Sequence, residues 1–181
     1  MLLCRSHKGN GTVALIFVTV GNANQGFRRL LGAVEALAGE GVFGDDVVMI
    51  QAGNNPIPES GRCRYQTFLS NEEFIKAIRE ATLIICHAGA GSLLHILREG
   101  KRPVVMPRQK RYGEHVDDHQ MELTRALATE GRVIPAFEPG ELAVAIEAAR
   151  RRNVQPVPAA PSQMLRLVAE IIVSLDGKER K

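Results

Sequence analysis

Two short stretches of this 181-residue chain combine residue types that can do chemistry. The first is Cys86, His87, Ala88, Gly89, Ala90, Gly91 and Ser92, small residues that follow directly on an apolar run. Its two glycines let the backbone approach a ligand closely, and free N–H groups at the start of a following helix favour an anion. Ser92 can cap that helix or donate to a phosphate oxygen. A side chain at Gly89 would fill the space that such an anion needs. The spacing is not Gly-x-Gly-x-x-Gly, because Leu94 holds the third position, and no Walker lysine follows. Phosphate binding and a tight turn that merely needs small residues both stay open on these grounds.

The second stretch runs over residues 108–120 and gathers Glu114, His115, Asp117, Asp118, His119 and Gln120. His115 and His119, with His87 of the first stretch, are the candidate acid–base groups. The spacing is not that of a Glu/His ligand pair on a helix, so no resident metal is expected. A polar surface loop is the plain alternative, with Asp117 or Asp118 capping the next helix. Arg108, Lys110 and Arg111 add positive charge to this stretch and suit an anionic group.

Both stretches need a scaffold. Residues 13–20 (VALIFVTV) form a continuous β-branched run, the pattern of a strand buried on both faces. Helical spacing follows over 27–38, then strands over 47–52 and 64–68. Ser70 with Glu73 three residues on is a capping-box start for a helix. Residues 82–86 are a strand, 93–99 a helix, 103–106 a strand and 117–129 a helix. A strand over 132–135 and a helix over 141–150 complete the alternation. This order predicts an α/β fold, a Rossmann-like, mainly parallel sheet with helices on both faces. Ligands in such sheets sit beyond the carboxyl ends of the strands, near the reversal of strand order. The loops to watch are 21–26, 87–92 and 107–120.

Composition narrows the classes further. Hydrophobic residues make up 45% and charged residues 24% of the chain, which excludes a disordered or fibrous protein. The net charge is 23 − 20 = +3, with no Trp and two Tyr, so no nucleic-acid partner is expected. Cys4, Cys63 and Cys86 lack Cys-x-x-Cys spacing and suggest a reducing compartment. No apolar run nears the roughly 18 residues of a membrane span, and the expected location is cytoplasmic. The expected organisation is a flexible leader over 1–12, a domain over 13–152, a Pro-rich linker over 153–161 and a C-terminal helix and tail over 162–181. The apolar face of that last helix fits core packing or a partner. Arg150, Arg151 and Arg152 read as a solvated helix end, with phosphate binding as the lesser reading.

The segments IFVTVGNANQGFRRLLGAVEAL, ICHAGAGSLLHILREGKRPVVMPR and GEHVDDHQMEL resemble, in order and spacing, the carboxyl-terminal domain of glycosyltransferase family 28. The likeness is greatest to soluble catalytic subunits of split transferases that build exopolysaccharides or dolichol-linked N-acetylglucosamine glycans. It implies the donor-binding half of a GT-B enzyme, a hexosyltransferase using a UDP-sugar. Carried onto this chain, it implies a diphosphate site at Gly21, Asn22, His87, Ala88, Gly89, Ala90, Gly91 and Ser92. It implies uridine contacts at Phe68, Leu69 and His95, and sugar contacts at Glu114, Asp118, His119 and Gln120. Under the same likeness, the anionic group that suits Arg108, Lys110 and Arg111 is a sugar carboxylate or equally a lipid diphosphate. Relatives often carry a ribose-binding Glu where His95 stands, and a Thr directly after the first glycine where this chain has Asn22. The family also implies no cofactor beyond the UDP-sugar donor, with loosely bound magnesium compatible. It implies a membrane-anchored, acceptor-binding partner that presents a polyprenyl-linked acceptor, which would hold the chain at the cytoplasmic membrane face. A non-catalytic nucleotide-sugar-binding or regulatory module is the alternative, and an epimerase is set aside because it needs two complete domains.

Overall fold

The computed structural model describes residues 13–58 and 61–152. The leader, the linker and the last helix expected from the sequence lie outside them. Six strands form one parallel sheet: β1 (Leu15–Thr19), β2 (Val47–Gln51), β3 (Arg64–Gln66), β4 (Ala81–Cys86), β5 (Val104–Val105) and β6 (Ile134–Pro135). Five α-helices alternate with them: α1 (Arg28–Gly39), α2 (Asn71–Glu80), α3 (Ala90–Arg98), α4 (His119–Thr129) and α5 (Leu142–Arg152). The strand order is β3-β2-β1-β4-β5-β6, and it reverses between β1 and β4. That is the doubly wound arrangement expected from the sequence.

Strand periodicity divides the core into two layers. Ile16, Val18 and Val20 of the first apolar run, with Leu83 and Ile85 of β4, pack against Leu30, Val34, Leu142 and Ile146 of α1 and α5. Phe17, Ile84 and Cys86 face the other way, onto Ile78, Leu93, Ile96, Leu123 and Leu127 of α2, α3 and α4. Alternate side chains of a strand point to opposite faces, so a sheet covered on both sides demands an unbroken apolar run.

Register brings the strand ends level. Thr19 lies opposite Gln51 on one side and Cys86 on the other, so the loops after β1, β2 and β4 leave the sheet together. The helix starts differ from the sequence reading in two places. α3 begins at Ala90, with extended Gly89 as its N-cap, so Ser92 sits inside the first turn and does not cap it. α4 begins at His119. Asp117 accepts the His119 N–H at 2.9 Å, whereas Asp118 turns to the Lys110 N–H, also at 2.9 Å. Arg150 donates to the Val42 carbonyl and pairs with Asp46, and Arg151 pairs with Glu147, which supports the helix-end reading of this basic run.

The capping box at Ser70 forms as the sequence predicts. Ser70 Oγ accepts the Glu73 N–H at 3.2 Å, and the Glu73 carboxylate accepts the Ser70 N–H at 2.8 Å. Replacing Ser70 with Ala should lower the unfolding free energy by about 1 kcal/mol. Urea titration followed by far-UV circular dichroism measures this, and an unchanged midpoint would contradict it.

Candidate functional site

A cleft of about 400 Å³ opens at the carboxyl ends of β1 and β4, where the strand order reverses. Gly21 and Asn22 line it from the loop after β1. His87, Gly89, Ala90, Gly91 and Ser92 line it from the turn after β4, and Leu69 and His95 close another side. Among the sequence candidates, Ala88 is buried under this turn. Phe68 lies outside the lining and is 51% exposed.

The cleft is held open by one ring. His87 is 7% exposed and its imidazole lies between Gly21 and Gly89. A Cβ at Gly21 would stand 2.5 Å from His87 Cε1 and Nε2, and one at Gly89 would strike Nε2 still more closely. Gly21 also has φ +72°, a backbone conformation unfavourable to other residues. The sequence reading reserves the space beside Gly89 for an anion, but the structure fills it with the imidazole. Gly91 is different: a Cβ there meets nothing within 4 Å.

The first turn of α3 is an anion cradle by its own geometry. The Ala90, Gly91 and Ser92 N–H groups precede the first intrahelical bond, which runs from Leu93 N–H to the Gly89 carbonyl at 2.9 Å. No side chain caps this helix start, and its first turn holds no acidic residue. The partial positive charge of the helix end is therefore directed into the cleft. Burial pushes the His87 imidazole down to about 4, helped by the nearby Arg108 charge. His87 is thus neutral at pH 7. Its Nδ1 is buried with no hydrogen-bond partner among the described residues.

A chain of polar side chains that the sequence reading missed orients Asn22. The Gly21 N–H and the Gln51 side chain both meet Thr19: Gly21 N–H donates to Thr19 Oγ1 at 3.2 Å, and Thr19 donates to Gln51 Oε1 at 2.7 Å. Gln51 Nε2 then donates to Asn22 Oδ1 at 2.9 Å. Thr19 is fully buried and Gln51 nearly so. Their signal was present in the sequence as the two polar residues that close otherwise apolar strands. Asn55 works similarly, accepting the Phe27 N–H at 2.6 Å and donating to the Ala52 carbonyl at 2.7 Å.

The 107–120 loop lies beside the cleft without contributing to its lining. Glu114 is buried, with both carboxylate oxygens on Arg29 and one also on the Gln109 N–H, so its acceptor positions serve the fold. Gln120 Oε1 accepts the Arg108 N–H at 3.1 Å. Asp117 sits between two imidazoles, 3.1 Å from His115 Nδ1 and 3.5 Å from His119 Nδ1. Burial alone would raise its carboxyl, but the His119 N–H and the flanking imidazoles hold it below its ordinary value. Arg108 is fully buried and cannot meet a sugar carboxylate or a lipid, which corrects the charge reading at that position. Arg111 pairs with Glu138. Among the described residues no group of three or more His, Cys, Asp and Glu is placed to hold a metal, and no helix is long and apolar enough to cross a membrane.

A parallel sheet in this order, with a glycine-rich turn feeding a helix beside the reversal of strand order, defines a Rossmann-like α/β domain. Residues 15–172 match the glycosyltransferase family 28 C-terminal domain, and the chain belongs to that family. The human UDP-N-acetylglucosamine transferase subunit ALG13 is 32% identical over 125 residues, which make up 65% of this chain and 10% of that protein. The chain therefore spans about a tenth of the length of this curated relative. The solution structure of ALG13 aligns with a TM-score of 0.59 at 20% identity, over 86% of this chain and 94% of that one. MurG of Acinetobacter baumannii aligns with a TM-score of 0.56 at 19% identity, over 91% of this chain and 50% of that one. The kitacinnamycin glycotransferase aligns with a TM-score of 0.55 at 17% identity, over 97% of this chain and 43% of that one. These structures share the fold, and this chain corresponds to about half of each of the two larger ones.

Two measurements test the His87 packing. Gly89→Ala should cost about 1–3 kcal/mol of stability by overpacking. The same change made in a His87→Ala background should cost much less, and equal costs in the two backgrounds would refute the contact. His87 also has a defined acid signature. Its folded value lies below its unfolded one, so the unfolded chain binds the extra proton between about pH 6.5 and 4 and stability falls with pH across that window. Denaturation at stepped pH should show a shallower fall in His87→Gln.

Proposed function

We propose that this chain is the UDP-sugar-binding half of a hexosyltransferase that acts with a membrane-anchored partner subunit. The partner binds a polyprenyl-linked acceptor, and the pair transfers the sugar in polysaccharide or glycan synthesis at the cytoplasmic face of the membrane. The observation that carries this reading is the uncapped start of α3 facing the cleft across open Gly91. Family membership supports the chemistry. The name of the human relative, a subunit of a UDP-N-acetylglucosamine transferase, supports the donor class and the partner.

In this reading the donor diphosphate lies on the Ala90, Gly91 and Ser92 N–H groups, with Gly21 and Asn22 across the cleft. The uridine extends toward Leu69 and His95, with Phe68 at the rim, and the sugar reaches toward Asp118, His119 and Gln120. Transfer builds negative charge on the departing diphosphate. Fixed N–H donors and a helix dipole stabilise that charge without reorganisation and without a resident metal. A base must also take the proton of the acceptor hydroxyl. His87 is buried and its Nδ1 is closed off, so His115 and His119, both held by Asp117, are the local candidates. The partner supplies the acceptor and the remaining acid–base groups, because rate requires both substrates held at near-attack distance.

Calorimetry decides the donor claim. UDP should bind the isolated chain, and GDP should bind markedly less well. Gly91→Val should weaken UDP binding by about tenfold or more while the protein stays folded, because its side chain enters open cleft space and screens charge-assisted hydrogen bonds. Equal or absent heats for UDP and GDP would refute the uridine reading. Tight UDP binding with no transfer in membranes containing the partner would favour a non-catalytic binding module.

A further inference from the structure

Arg108 is not among the residues that line the cleft, and the carbonyls that its guanidinium bonds belong to residues outside that lining. It is the largest fully buried side chain among the described residues. Nη1 donates to the Gln25, Gly26 and Glu114 carbonyls at 2.8, 3.2 and 3.1 Å, and Nη2 donates to the Val20 carbonyl at 2.9 Å. The plane stacks on Phe27, 4.8 Å from the ring centroid. Three of these carbonyls belong to the chain entering and leaving the turn at Gly21. Nε has no hydrogen-bond partner among the described residues, and no carboxylate there lies within ion-pair distance of Arg108.

Taking a charge out of water costs several kcal/mol, which the four carbonyl bonds and the Phe27 ring face offset in part. A purely structural tie among carbonyls needs donors, not a full charge. The neighbouring ions do not cancel it. Glu114 is matched by Arg29 in a two-pronged pair at 2.9 and 3.0 Å, Arg29 also lies 3.9 Å from Glu138, and Glu138 pairs with Arg111, so Arg108, Arg29 and Arg111 against Glu114 and Glu138 leave one net positive charge. His115, the other ionisable side chain felt at the His87 turn, adds no negative charge. Arg108 Nη2 lies 2.9 Å from the carbonyl of Val20, the residue before cleft-lining Gly21, so its charge stands directly behind the cleft wall. In a low-dielectric wall such a charge acts over many ångströms.

We propose that Arg108 is the positioning residue of the nucleotide cleft, fixing the turn at Gly21 and supplying the buried positive charge that selects a nucleoside diphosphate over an uncharged nucleoside. The inference rests on the donor reading above. It assigns discrimination between charged and uncharged ligands to a residue that touches neither.

Amide-shift titration with UDP and with uridine tests it, because this method reads weak and tight binding alike. Arg108→Met should lower the ratio of UDP to uridine affinity by about tenfold, the loss expected from one charge behind a desolvated wall. Arg108→Lys keeps the charge without the planar fork and should keep most of the ratio. Should Arg108→Met fail to fold, Glu114→Gln decides, because removing the opposing charge should raise the ratio. A role confined to structure would shift UDP and uridine binding equally. Equal losses in Arg108→Met, an unchanged ratio there, or a ratio in Glu114→Gln that stays level or falls would overturn the inference alone. Wild-type protein that binds neither ligand would overturn the donor reading, and this inference with it.

Discussion

The imidazole of His87 sets the spacing between the two turns that make the cleft. Its ring fills the volume that side chains at Gly21 and Gly89 would take, so both positions must be glycine for one steric reason. Gly53 belongs to the same packing, since a Cβ there would run into the Gly21 carbonyl. Level strand ends bring these turns together, and the ring then fixes how closely they approach. Only after that spacing is set does the first turn of α3 face open space.

Polar groups at the carboxyl end of the sheet follow the same logic. An apolar core could have ended the strands cheaply, yet Thr19, Gln51, Asn55 and Arg108 are all buried there. Each is bonded to backbone or side-chain partners in the loops that frame the cleft. Arg29 extends the network, joining α1 to the Pro107 and Phe137 carbonyls at 2.7 and 2.6 Å. The sheet is thus apolar through its middle and polar where it ends, and the polar end positions loops that the core cannot reach. Buried hydrogen-bonded networks of this kind define a single arrangement of the chain.

The order and type of every strand and α-helix among the described residues were legible in the sequence, because apolar runs and capping residues act locally, whereas the short 3-10 turns at Lys110–Tyr112 and Pro139–Glu141 were not. The Ser70 capping box and the turn after β4 were legible for the same reason. Helix starts were less so: Gly89 caps α3 through backbone conformation alone, which leaves no side-chain trace. The roles of Glu114 and Arg108 were not legible. Both read as ligand-facing charges within a polar loop, and their burial depends on partners some 80 residues away in the chain, the Arg29 guanidinium for Glu114 and the Val20 carbonyl for Arg108. A charge pattern that looks like a surface becomes an interior once distant loops close over it.

The central claim is that the first turn of α3 receives a donor diphosphate. Titrating isotopically labelled protein with UDP and following each backbone amide tests it directly. The Ala90, Gly91 and Ser92 amides should move furthest and saturate together, with smaller shifts at Gly21 and Asn22. Saturable shifts centred elsewhere, such as the groove between α1 and residues 55–58, would contradict the account.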